Sequence, residues 1–116
     1  MSFKFERLEV WQRSVAFADR MLAVSEGLPQ RYQFSLGDQL RRASLSVPTN
    51  VAEGSGRDAP KESAYFYRIA KGSLYEVVSL LVVAHRRGLV DAQAYAEHYR
   101  EANELAAMLT NLAKVQ

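Results

Sequence analysis

Cysteine is missing altogether from these 116 residues. Disulfide frameworks, thiolate metal sites and cysteine nucleophiles are therefore excluded. Long apolar runs are missing too. The longest, Leu80 to Ala84, falls far short of the ~20 residues a membrane-crossing helix needs. The segment Met1-Ser2-Phe3-Lys4-Phe5-Glu6-Arg7 holds no apolar h-region, so no secretory signal is expected. A cysteine-free chain without these segments suits a reducing cytoplasm, and no membrane partner is expected. Histidine is scarce, with only His85 and His98, and proline appears three times. Charge of one sign is also scarce: fifteen basic against thirteen acidic residues leave +2.

What is present is helical periodicity. Leu8, Trp11, Val15, Ala18 and Leu22 recur at spacings of three and four, the stripe of a core-facing helix. Gly27-Leu28-Pro29 stops it. Leu36, Leu40, Ala43, Val47 and Val51 form a second stripe, closed by Glu53-Gly54-Ser55-Gly56, where glycine is expected in the left-handed conformation. Pro48 falls inside this stripe. It cannot donate to the Ser44 carbonyl, so a kinked second helix is expected. Asp58-Ala59-Pro60 supplies a cap and a first-turn proline for a third helix. That helix carries Phe66, Ala70, Ser73, Val77, Leu80 and Ala84 and ends at Arg86-Arg87-Gly88. Asp91 caps a fourth, with Tyr95, Tyr99, Ala102, Ala106, Leu109 and Ala113. No segment alternates as a strand does. Short connections imply antiparallel neighbours. The expected fold is all-α: one domain over residues 1–116, an antiparallel up-down four-helix bundle with a proline-kinked second helix.

The chain carries more apolar surface than one bundle uses. Leu80 through Val83 sweep most of the helix circumference at ~100° per residue. The first helix has a second stripe, Val10, Phe17, Met21 and Val24. A monomer with a large apolar patch in water is rare, so self-association is expected.

Gln39-Leu40-Arg41-Arg42-Ala43-Ser44 and Ser46-Val47-Pro48-Thr49-Asn50-Val51-Ala52-Glu53-Gly54-Ser55-Gly56-Arg57 resemble the 23S ribosomal RNA intervening-sequence protein family. Phe5-x-x-Leu8-x-Val10-Trp11 and Ile69-Ala70-Lys71-Gly72-Ser73-Leu74-x-Glu76 extend the likeness over about residues 3 to 90. The fourth helix matches only in character. The resemblance implies an up-down four-helix bundle and a ring-like homopentamer. Some relatives are encoded within insertions in ribosomal RNA genes. A related branch serves diversity-generating retroelements as an accessory factor that binds nucleic acid and a reverse transcriptase. Many members have no assigned role.

Eleven of the fifteen bases are arginine, the side chain suited to bidentate phosphate contacts. Arg41 and Arg42, with Arg57, Arg68 and Lys71, are the expected RNA or DNA contacts, and Arg86 and Arg87 extend the surface. The plain alternative is a solvated face balanced by Asp38, Glu62 and Glu76. No aromatic-interleaved platform is expected. In Asn50-x-x-Glu53-Gly54-x-Gly56-Arg57 the structural reading outweighs a binding one. Pro48 frees carbonyls that the Asn50 amide or an arginine can satisfy, Glu53 can pair with Arg57, and Gly54 and Gly56 make the exit turn.

Enzyme chemistry finds little support. A di-iron bundle needs two Glu-x-x-His motifs and two further glutamates. This chain has none of those motifs, and His98 with Glu101 supplies only half of a metal pair. Gly54-Ser55-Gly56 lacks the lysine and strand of a phosphate loop. Ser44, Ser46 and Ser73 have no His–carboxylate partners at motif spacing. Trp11 and Tyr65, Tyr67, Tyr75, Tyr95 and Tyr99 read as core and interface aromatics. The sequence therefore points to a non-catalytic homo-oligomer without cofactor or metal that binds structured RNA or DNA. The alternative is a protein–protein interaction scaffold.

Overall fold

The computed structural model describes residues 2–116. Among them are four α-helices and no strand: α1 (Glu9–Glu26), α2 (Asp38–Ser55), α3 (Pro60–Arg86) and α4 (Ala92–Lys114). A 3-10 turn, Lys4–Arg7, precedes α1. A 3-10 turn (Gln30–Tyr32) and a π-helical turn (Gln33–Gly37) join α1 to α2. None of the helices is long and apolar enough to cross a membrane.

The helix ends follow local chemistry. Asp91 caps α4, its carboxylate accepting from the Ala94 N–H at 2.8 Å. Pro60 opens α3, where a missing N–H costs nothing. The expected cap at Asp58 is not made; Ala59 occupies that position without a side-chain bond. Gly88 closes α3 at φ 75°. Leu89 N–H donates to Ala84 O and Gly88 N–H to His85 O, both at 2.9 Å, a Schellman closure.

Gly54 departs from expectation. It does not turn the chain: α2 runs through it, and Gly56 beyond keeps a right-handed φ of −88°. Gly54 is instead a point of close approach. A Cβ there would stand 2.7 Å from Tyr67 Cε1 and 3.1 Å from Phe66 Cβ. Glycine lets α2 and α3 touch near that end. Ser46 and Ser73 hydroxyls hydrogen-bond at 2.8 Å farther along the same seam.

The main core takes Val10, Phe17 and Met21 from α1 and Leu40, Ala43, Val47 and Val51 from α2. Tyr67, Ala70, Leu74, Val77 and Leu81 come from α3, and Ala102, Leu105 and Leu109 from α4. Two of the expected stripes shift. In α1 the second stripe is the buried one, while Val15 is 40% exposed. The reason lies in Ser14 and Ser25, both fully buried. Their hydroxyls donate to Val10 O at 2.6 Å and Leu22 O at 2.7 Å. A serine satisfied by its own helix can occupy a core position. In α3 the centre runs through Tyr67, Leu74 and Leu81, leaving Phe66, Ser73 and Leu80 at the edge. A smaller cluster, Leu28, Leu36, Ala84 and Val90, lies under the connections at one end.

Candidate nucleic-acid interface

The five expected basic residues divide between two places. Arg41 is built into the α1–α2 connection. Its Nη1 donates to Gln33 Oε1 at 3.0 Å and its Nη2 to Gln33 O at 2.8 Å. Gln33 Nε2 in turn donates to Ser25 O and Leu28 O at 2.8 and 2.9 Å. The guanidinium thereby steadies the residue that satisfies carbonyls at the end of α1. Arg42 projects from the next position with its side chain 80% exposed, 3.2 Å from Asp38 Oδ2. Asp38 also lies 3.9 Å from Arg41, so the two guanidinium groups share one carboxylate, which offsets one of their two charges.

Arg57, Arg68 and Lys71 differ. Among the described residues none of the three pairs with a carboxylate. The Arg57 guanidinium lies over the Phe66 ring, 4.4 Å from its centroid, and makes no ion pair with Glu53. Lys71 Nζ stands 5.6 Å from the Tyr75 centroid. Tyr65 meets Phe66 edge-on at 5.5 Å. Tyr65 and Tyr75 are 60% and 59% exposed, so neither is a core aromatic of the single chain. Lys61 and Arg68 are exposed on the same helix. Lys61, Tyr65, Arg68, Lys71 and Tyr75 recur at spacings of four, three, three and four, which places them on one face. That face extends ~21 Å at ~1.5 Å per residue. Three cations are thus interleaved with two exposed rings along the outer side of α3, the pattern expected to be lacking. Glu62 and Glu76 are its exposed acidic neighbours.

Residues expected to have structural roles sit nearby. Pro48 is buried within α2. The Asn50 amide donates to Ser46 O and Ser46 Oγ, each at 2.8 Å, joining the Ser46–Ser73 bond. Thr49 Oγ1 donates to Leu45 O at 3.0 Å. Glu53 is exposed. Ser44, fully buried, donates to Arg41 O at 3.1 Å.

The histidines serve packing contacts. His85 stacks on Tyr95 at 4.4 Å, and its Nδ1–H donates to Val90 O at 2.9 Å. His98 is half-buried on α4. Burial first, and the Arg20 charge second, hold its pKa below the ordinary imidazole value. Glu101 is engaged by Arg20. No three His, Asp or Glu residues come together to hold a metal among the described residues.

Apolar grooves open on several helix pairs, one of them of about 350 Å³ between the start of α1 and the end of α4, lined by Leu8, Val10, Met108, Leu112 and Val115. Leu74, Tyr75, Val78, Tyr99, Ala102 and Ala106 line a second of about 400 Å³ between α3 and α4. Val15, Ala18, Leu22, Leu45 and Pro48 line another of about 200 Å³ between α1 and α2.

The profile of the family described as 23S rRNA-intervening sequence protein matches residues 6–111. No curated protein matches the sequence. Among solved structures, a protein of unknown function from the S23 ribosomal protein family of Bacteroides thetaiotaomicron VPI-5482 superposes with a TM-score of 0.85 at 20% identity. The match covers 90% of this chain and 98% of that one. At that identity the likeness speaks for the shared helical fold. The chain belongs to the 23S rRNA-intervening sequence protein family.

Proposed function

We propose that this chain is a non-catalytic, homo-oligomeric four-helix bundle that binds structured RNA or DNA through the outer face of α3. The observation that carries the proposal is the interleaving of uncompensated cations with exposed rings over Lys61–Tyr75. Lysine and arginine neutralise phosphates without needing a groove-reading helix. Exposed tyrosines offer faces on which unpaired bases stack, worth about 1–3 kcal/mol per base. The family's description ties it to an insertion in ribosomal RNA, which agrees with a nucleic-acid partner. A cytoplasmic location belongs to the same reading.

The helices are read as antiparallel, up and down. Arg13 meets Glu104 while Arg20 meets Glu101, so partner numbers fall as α1 advances. Ser46 with Ser73 and Gly54 with Tyr67 follow the same order on α2 and α3. A bend in α2 at Pro48 belongs to the same reading. It rests on the missing Pro48 N–H and on Thr49 and Asn50 side chains donating into the turn before it.

Self-association is supported by the α3–α4 and α1–α2 apolar grooves, which lie on different helix pairs and include the exposed side chains Val15, Leu45, Tyr75 and Tyr99. Dissimilar patches that fit one another make a head-to-tail contact, and such contacts form a ring where the rotation between subunits closes. Five subunits is the number implied by family resemblance. A ring would repeat the α3 face around its circumference and strengthen its field.

The test is Lys61→Glu with Arg68→Glu, both at exposed positions. Affinity for structured RNA and duplex DNA should fall at least about tenfold while helicity and particle mass stay constant. Unchanged affinity would remove the α3 face from consideration. A second reading, a protein-binding scaffold, is favoured by the α3–α4 groove. It predicts nuclease-resistant capture of one stoichiometric protein that Tyr99→Ala abolishes.

A further inference from the structure

A second group of cations lies away from α3's outer face, where the α1–α2 connection meets the end of α3. Pro29 leads into the single turn Gln30–Tyr32, which carries Tyr32 up to Arg87. Arg87 Nε and Nη2 both donate to Tyr32 Oη, at 3.2 and 2.8 Å. The Arg87 guanidinium carbon lies 5.8 Å from the Tyr32 ring centroid, and that of Arg31 lies 5.0 Å from it. Two guanidinium groups therefore converge on one phenol. Neither pairs with a carboxylate among the described residues. Both are exposed, as is the neighbouring Arg86.

Each guanidinium carries five donors. Arg87 directs one Nε–H and one Nη2–H at the phenol, which leaves three donors open, and Arg31 keeps most of its own. Two like charges gathered on one ring repel each other, and the phenol, which is neutral, does not offset them. The shared ring still orders both side chains. Their planar forks are thus positioned in advance, which lowers the entropy lost when an anion is bound. The same pair of cations lowers the pKa of Tyr32, Arg87 through its hydrogen bonds foremost.

We propose that Arg31, Tyr32 and Arg87 form a clamp for a phosphate group at this end of the bundle. Arg31 and Arg87 grip the non-bridging oxygens with their remaining N–H groups, and the Tyr32 hydroxyl, which accepts from Arg87 and keeps its own proton, donates to a third oxygen. A phosphate group can come from the end of a nucleic-acid chain, as a monoester, or from its backbone, as a diester. The clamp shares no residue with the α3 face and stands or falls separately from it.

The test is equilibrium dialysis of the whole protein against radiolabelled inorganic phosphate at constant ionic strength. Saturable binding, one phosphate per chain, is expected. Arg31→Ala with Arg87→Ala should weaken it at least about tenfold without changing helicity. Arg87→Lys, which keeps the charge but not the fork, should fall between. Binding that does not saturate, or that the double substitution leaves intact, overturns the clamp. Oligoribonucleotides ending in a 5′-phosphate or a 5′-hydroxyl then separate the sources. Preference for the phosphorylated end, lost with the double substitution, assigns the clamp to chain ends. Equal binding, lowered for both by the double substitution, assigns it to the backbone. Binding of both that the double substitution leaves unchanged counts against the clamp.

Discussion

Two glycines in long helices illustrate how differently one residue type behaves. Gly54 has no room for a methyl group, since a Cβ would stand 2.7 Å from the Tyr67 ring. Tyr67 is only 4% exposed and cannot swing aside. Gly54→Ala gains up to about 1 kcal/mol of helix propensity and loses about 1–3 kcal/mol to overpacking. The second effect wins, and the urea midpoint should fall. Gly72 faces open space in mid-α3, with nothing within 4 Å of a Cβ. Gly72→Ala should raise the midpoint by the propensity gain, about 1 kcal/mol. A midpoint that rises for both variants would contradict the close approach at Gly54. Nothing in the sequence separates these glycines. Gly54 sits in a Gly-Ser-Gly string that looks like a turn, and only the facing ring on α3 reveals its role.

The helix ends were legible from local chemistry at Gly27, Pro60, Gly88 and Asp91, because caps and turns depend on near neighbours. The buried faces were less so. Ser14, Ser25 and Ser44 are core residues that an apolar count rejects, so the α1 stripe was read on the wrong side. The α3 face was missed: Lys61 was not among the expected contacts and no interleaved aromatics were expected, because the exposure of Tyr65 and Tyr75 depends on where α2 and α4 pack. Arg41 looked equivalent to Arg42, and only the position of Gln33 distinguishes them. On the α1–α4 seam, His98 allows a pH test. Its pKa in the folded chain lies below the ordinary value of 6.5. Below pH ~6.5 the unfolded chain therefore binds the proton more readily. Stability should hold above that pH and decline as pH falls through the window beneath it. His98→Gln should flatten the decline in a series of thermal melts; an unchanged slope would assign the pH dependence to other groups.

For the whole molecule, the α1–α2 groove and the basic α3 face make separable claims, whereas Tyr75 belongs both to that face and to the α3–α4 groove. Val15→Lys with Leu45→Lys places charge on exposed apolar positions beside the α1–α2 groove. Light scattering should show a smaller particle of unchanged helicity; an unaltered mass would free that groove from an assembly role. In the proposed ring each cation recurs once per subunit, so loss of assembly is expected to weaken the proposed nucleic-acid binding as well. The most direct measurement is the salt dependence of binding to structured RNA, wild type beside Lys61→Glu/Arg68→Glu. The logarithm of affinity should fall linearly with the logarithm of salt concentration, with a slope near −0.9 per phosphate contacted on duplex segments. The double substitution should flatten that slope by about two units for each subunit touching the RNA. Parallel lines for the two proteins, or no binding at low salt, would contradict a role for the α3 face in holding nucleic acid.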